Sequence, residues 1–239
     1  MLKTALALLP KERFVYYGDS AHAPYGTRPE EEVRVLARNV TDFLLKKGCK
    51  AIVIACNTAT CAAAQALREE NKNLIIVGME PALKLAHDTC PEGTIAVLAT
   101  PLSLSSAKYR ALYEKYGEHS VSVPCAGLME LVEKGETDSA EVTEYLSEKL
   151  GPFMTDGSLS AVVLGCTHYV FLKDAVKRVV GDRVRVLDGN EGTVRQLMRR
   201  LNEQGLLNEG ALADLPRCEL NTSGSEEDLA VMKMLLEKP

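Results

Sequence analysis

The stretch Ala51-Ile52-Val53-Ile54-Ala55-Cys56-Asn57-Thr58 decides the fold. Five apolar residues lead straight into a cysteine and two small polar residues, and the alanine-rich run from Ala59 to Arg68 is a helix candidate. An unbroken apolar run predicts a strand buried on both faces, as in a parallel sheet with helices on either side. Cys56 then falls at a strand-to-helix junction. There, backbone N–H groups and the positive end of a helix can stabilise a thiolate. The pattern returns at Ala161-Val162-Val163-Leu164-Gly165-Cys166-Thr167-His168. Two copies predict two thiols offered to one cleft.

Working outward, strand patterns fall at Arg13 to Tyr17, Leu74 to Val77, Thr94 to Ala99, Val121 to Val123 and Val184 to Leu187. Helical patterns separate them. Met1 to Leu9 reads as the later part of a helix stopped by Pro10. Thr27 and Glu30 have capping-box spacing before the helix that carries Val33, Leu36, Ala37, Val40 and Leu44. Thr100-Pro101 opens a loop, Asp138 or Ser139 caps a helix, and Ser225 caps the last one, after Asn221-Thr222-Ser223-Gly224. Strands alternating with helices predict an α/β fold with mostly parallel sheets. The two cysteine turns form a weak internal repeat whose period is too long for a solenoid. They point to two similar α/β domains facing each other across an active-site cleft, where open α/β sheets place ligands.

The chain has 239 residues, 46% hydrophobic and 26% charged, an ordinary globular composition for one large or two small domains. A net charge of −5 argues against a general electrostatic grip on nucleic acid. With no Trp and four Phe the core must be aliphatic. No apolar run reaches the roughly 18 residues of a membrane helix, and no signal-peptide pattern opens the chain. Seven scattered cysteines without a CxxC pair fit a reduced, cytoplasmic setting better than a disulfide framework.

Two thiols on opposite walls of a cleft can invert a carbon centre. A thiolate removes a proton from one face, and a thiol returns one to the other. Each group must reach its proton, and the two must begin in opposite protonation states, which environment has to set. Asn57, Thr58 and Thr167 stand beside the cysteines and can hold a carboxylate, and His168 can assist Cys166. Cys49, Cys61, Cys90, Cys125 and Cys218 read as small hydrophobes. His22, His87 and His119 read as surface or loop residues, and Tyr16-Tyr17 as strand packing. Cys166 with His168 gives too few ligands for a metal site, and nothing matches a full nucleophilic triad.

Cys56-Asn57-Thr58-Ala59 within VIACNTAT, Cys166-Thr167-His168-Tyr169 within LGCTHY, and Pro24-Tyr25-Gly26 within YYGDSAHAPYGTRPEEEV together resemble glutamate racemase, of the aspartate/glutamate racemase superfamily. The segment NTSGSEED is similar to the family's C-terminal part, and the likeness covers nearly the whole chain. The resemblance implies cofactor-independent interconversion of L- and D-glutamate, which supplies peptidoglycan synthesis. It implies Cys56 and Cys166 as the two acid/bases. Tyr25, Gly26, Asn57, Thr58, Thr167 and His168 would contact substrate or support the bases, with Thr100 near a further substrate-binding threonine. Two domains are implied, 1–79 with 188–239 and 80–187, in a molecule that is often a homodimer. The alternatives are an aspartate or broader amino-acid racemase, or a truncated binding protein, since some glutamate racemases bind DNA gyrase. The family opens with a strand and an Asp-Ser-Gly loop, whereas MLKTALALLP aligns with the helix that follows that loop. The expectation is a first domain without one inner strand.

Overall fold

The computed structural model describes residues 1–79, 81–155, 157–210 and 216–237. In chain order the elements are α1 (Leu2–Leu8), β1 (Phe14–Gly18), α2 (Glu30–Lys46), β2 (Ala51–Ile54), α3 (Asn57–Glu70), β3 (Ile75–Gly78), α4 (Leu83–Thr89), β4 (Thr94–Ala99), α5 (Pro101–Ser105), α6 (Ala107–Tyr116) and β5 (Ser120–Pro124). They continue as α7 (Leu128–Glu133), α8 (Ala140–Leu150), β6 (Leu159–Leu164), α9 (Lys173–Val180), β7 (Arg185–Asp188), α10 (Asn190–Glu203), β8 (Cys218–Thr222) and α11 (Glu226–Glu237). Every strand pairing is parallel. The architecture is two α/β domains.

One domain is built on a four-stranded sheet in the order β5-β4-β6-β7. Its central strands are sealed on both faces: Ala96, Val97, Leu98, Ala161, Val162 and Val163 are fully buried. Alternate residues face opposite ways, as the two-residue period of a strand requires. Ala96, Leu98, Val162 and Leu164 pack under α7, α8 and α9, while Ile95, Val97, Ala161 and Val163 pack under α4 and α6. Each large aliphatic side chain so buried contributes about 1.5–3 kcal/mol.

The other domain has the same three layers, but its middle layer is interrupted. β1 pairs only with β8, and β2 only with β3, among the described residues. Both pairs share the same helical covers. Val15 and Tyr17 of β1 join Ile52 and Ile54 of β2 against residues of α2 and α3. Phe14 joins Ala51, Val53, Ile75 and Val77 against α1 and α10. Among the described residues no strand lies between the two pairs, so β1 and β2 each have one paired edge. This corrects the expected burial of β2 on both faces: only Ile52 of its four residues is buried.

Local chemistry differs from the sequence pattern at three other places. The Thr27–Glu30 capping box does not form; α2 begins after Pro29 with no side-chain cap, and Glu30, Glu31 and Glu32 complement the helix dipole instead. Thr100-Pro101 opens a helix, not a loop: the Thr100 side chain caps α5 by accepting from the Ser103 N–H. Residues 218–222 form β8, a strand the pattern did not announce because Glu219, Asn221 and Thr222 make it polar. Two caps fall as expected. Ser139 caps α8, and Ser225 and Asp228 cap the start of α11 reciprocally, at 2.7 and 3.2 Å.

Candidate active site

Cys56 lies directly after β2 and is the N-cap of α3, its Sγ accepting from the Ala59 N–H at 3.4 Å. The turn is pinned from below. Thr60 donates to the Ile54 carbonyl at 3.1 Å and accepts from the Met79 N–H at 3.0 Å, which ties the ends of β2 and β3 to α3. Cys166 occupies the matching place after β6. Gly165 precedes it because the strand closes tightly on β4 there: its N–H donates to the Leu98 carbonyl at 2.7 Å, and a Cβ would lie 2.7 Å from that oxygen. Cys56, like Tyr25 and Leu102, packs against the cluster of Val33, Ala59 and Ala62, whereas Cys166 lies in the core beneath α7 and α9. The two are close enough for charge on Cys166 to act on Cys56.

That influence shows in the protonation of Cys56. Burial pushes its thiol up to about 11, and the negative charge of Cys166 adds to this. The Ala59 N–H, and the Thr58 N–H and hydroxyl, pull the other way without prevailing. Cys56 is therefore a thiol at neutral pH.

The second cysteine has a different neighbour. His168 Nδ1 lies 3.8 Å from Cys166 Sγ, and Nε2 donates to Glu133 Oε1 at 2.6 Å. Burial works against a charged imidazole here. The hydrogen bonds and charges of Cys166 and Glu133 outweigh it and raise His168 to about 10. His168 is thus an imidazolium at neutral pH, with its positive Nδ1–H toward the Cys166 sulfur.

Tyr25 and Gly26 come from the loop after β1. Asp19, at the carboxyl end of that strand, organises the loop. It accepts from the Tyr25 hydroxyl, from Ser223 Oγ at 2.6 Å and from His22 Nδ1 at 2.8 Å. Burial would raise the Asp19 carboxyl, but the bonds from Ser223, Tyr25 and His22 hold it below the usual range. Burial and the bond to Asp19 push the Tyr25 phenol up, so it stays a neutral donor. Gly26 is buried directly beneath Thr100, where a Cβ would lie 2.8 Å from the Thr100 Cβ. Thr58 and Thr100 meet across the two domains with hydroxyls 2.9 Å apart.

The structure thus brings Cys56, Cys166, His168, Tyr25, Gly26, Thr58 and Thr100 into one neighbourhood. Thr167 is half-buried beside Cys166. Asn57 is buried in the first turn of α3: neither amide atom has a hydrogen-bond partner, and it lines a small cavity with Met79, Pro81, Ser103, Tyr109 and Leu112. Four contributors escape the sequence patterns. Asp19 could have been found as an acid at a strand's carboxyl end just before Pro24-Tyr25-Gly26. Glu133 and Ser223 lie too far along the chain from their partners to leave a signal, and Ser103, three residues after Thr100, could have been found as the residue its cap reaches.

Fold and site together define a class: a two-domain α/β protein with paired strand-end cysteines, one a thiol, the other beside an imidazolium. Comparison with known proteins gives the family. The sequence profile of the Asp/Glu/Hydantoin racemase family matches residues 1–197. Glutamate racemase of Clostridium perfringens strain SM101 is 49% identical over 211 residues, 87% of this chain and 81% of that protein. The crystal structure of glutamate racemase from Thermus thermophilus in complex with beta-chloro-D-alanine superposes with a TM-score of 0.81 at 34% identity, covering 98% of this chain and 87% of that one. The Francisella tularensis glutamate racemase crystallised with D-glutamate gives 0.83 at 26% identity, over 99% and 88%. The chain belongs to the Asp/Glu/hydantoin racemase family, and is an isomerase whose similarity within that family runs to the glutamate racemases.

Proposed function

We propose that this protein interconverts L- and D-glutamate by transferring the α-proton between two thiols, without a cofactor. One observation carries the mechanism: the two cysteines start in unlike surroundings. Cys56 is held as a thiol, raised to about 11, and Cys166 stands beside a protonated His168. Removing a proton from one face of a carbon and returning one to the other needs this inequality. With Cys166 as the acceptor, Cys56 delivers its proton to the opposite face. The roles exchange when the other enantiomer binds.

Tyr25, Gly26, Asn57, Thr58, Thr100, Thr167 and His168 are the proposed substrate contacts, and residues 1–79 with 188–239 and 80–187 the proposed domain bounds. Glutamate is favoured over aspartate by the similarity to proteins named glutamate racemase, one of them crystallised with D-glutamate. On this reading the protein works in the cytoplasm as a homodimer and supplies D-glutamate for peptidoglycan. The interrupted strand layer favours a second reading, an impaired member that acts by binding alone.

Hydrogen exchange at the glutamate α-carbon in D₂O separates the two. Exchange is expected from both enantiomers after exhaustive dialysis against a chelator, with loss of racemisation in Cys56→Ser and Cys166→Ser. A folded protein that exchanges neither enantiomer would overturn the proposal and leave the binding role. Exchange with aspartate but not glutamate would overturn the substrate.

A further inference from the structure

Three hydroxyls close a ring at the seam between the domains. Thr58 lies in the first turn of α3, while Thr100 and Ser103 belong to α5, which follows β4 in the four-stranded sheet. Thr58 Oγ1 is 2.9 Å from Thr100 Oγ1 and 3.1 Å from Ser103 Oγ, and Thr100 donates to Ser103 Oγ at 2.9 Å. Each hydroxyl has a single proton. With Thr100 donating to Ser103, the ring closes only if Ser103 donates to Thr58 and Thr58 to Thr100. Every proton is then committed inside the ring. Thr100 Oγ1 also accepts the Ser103 N–H at 3.2 Å. Thr58 and Ser103 are 3% and 1% exposed, so bulk solvent does not compete for these bonds while the seam is shut.

A carboxylate accepts hydrogen bonds and donates none. Thr58 and Thr100 can donate to one only after the ring opens. Thr58 also lies beside the first thiol, two residues after Cys56 in the first turn of α3. Around it, the Leu102 N–H points to the Gly26 carbonyl at 3.4 Å, and the Leu102 side chain packs in the same cluster as Cys56 and Tyr25. α5 is therefore seated on the Cys56 turn of the other domain, and Ser103 makes two of the three bonds of the ring.

We propose that Ser103 is a positioning residue that latches the empty site. By completing the hydroxyl ring it holds α5 against the Cys56 turn and keeps Thr58 and Thr100 in place until an acceptor-bearing ligand draws their protons away. It acts through these two threonines and is not itself a catalytic residue.

The test is residue-resolved alkylation of the substrate-free protein by iodoacetamide, read by peptide mass spectrometry. It does not depend on which amino acid the enzyme takes. A buried hydrogen bond of ordinary strength corresponds to about a fivefold change in an opening equilibrium. Ser103→Ala is therefore expected to raise the alkylation rate of Cys56 about fivefold, with Cys90, the buried residue that closes α4, unchanged. Ser103→Thr, which keeps the hydroxyl, is expected to restore the parent rate. A parent-like Cys56 rate in Ser103→Ala would overturn the latch. So would a parallel rise at Cys90, which would mark general loosening.

Discussion

Replacing Glu133 by Gln tests how the second half of the site is charged. The substitution keeps an oxygen of the same shape for the Nε2–H of His168 and removes only the negative charge. A hydrogen bond to a charged group is worth about 1.5–3 kcal/mol, against about 0.5–1.5 for a neutral one. The side chains are 28% and 34% exposed, and solvent screens such pairs, so the low end of the difference applies, about 1 kcal/mol. At 1.36 kcal/mol per pKa unit this is somewhat under one unit. His168, at about 10 in the parent, should titrate near 9 in Glu133→Gln. The alkaline limb of kcat/KM for racemisation should move down with it, while Cys56, at about 11, stays a thiol through that range.

Stability follows the same sign. The folded value of His168 lies above the ordinary 6.5, so its contribution is complete below about 6.5 and lost as pH rises through about 10. Glu133→Gln should therefore cost about 1 kcal/mol at pH 7 and nothing above pH 10 or so. NMR titration of the His168 ring and pH–rate profiles of both proteins check this. A parent His168 that titrates near 6.5, or an alkaline limb unmoved by Glu133→Gln, would refute the reasoning.

Two more predictions concern the loop that carries Tyr25. Asp19→Asn removes a carboxylate that three donors share, and should cost about 1–3 kcal/mol at neutral pH. The folded Asp19 value is depressed, so the cost should be present above pH 4 and vanish as acid titrates the parent, as urea melts at pH 7 and pH 2.5 would record. Gly26→Ala drives a methyl into the Thr100 Cβ and should cost about 1–3 kcal/mol, or several degrees in Tm, with KM for glutamate raised. An unchanged Tm and KM would show that α5 is not seated on this loop.

The strands were legible because burial on both faces writes itself as an unbroken apolar run. Thr94 to Ala99 and Ala161 to Leu164 are such runs, and they became β4 and β6. Cys56 and Cys166 were legible for a related reason: each is the first polar residue after its run. β8 was not, because a strand paired on one side with β1 can be polar at Glu219 and Asn221. The same limit hid Glu133. Its bond to His168 spans 35 residues, and no local pattern records where two distant turns will meet. Thr100 was placed near the site, but its cap on α5 and its bond to Thr58 depend on how the domains abut. That the Asn57 amide is buried without a partner beside a small cavity was likewise hidden, because the packing of α3 against α5 and α6 creates it.

What separates the two cysteine turns is the second residue after the sulfur. In both, a strand ends, a cysteine follows, and the chain turns back over the sheet. After Cys56 that residue is Thr58, a neutral hydroxyl that can lend a proton but no charge, and burial then decides that the thiol keeps its own. After Cys166 it is His168, which Glu133 can hold protonated, so a positive charge stands where Thr58 offers none. Had a histidine stood in both turns, or a threonine in both, the two sulfurs would have matching neighbours. The unlike surroundings that the proposed mechanism requires thus rest on one residue in each turn. A His168→Thr variant makes the turns alike, and it should lose racemisation while keeping both sulfur atoms.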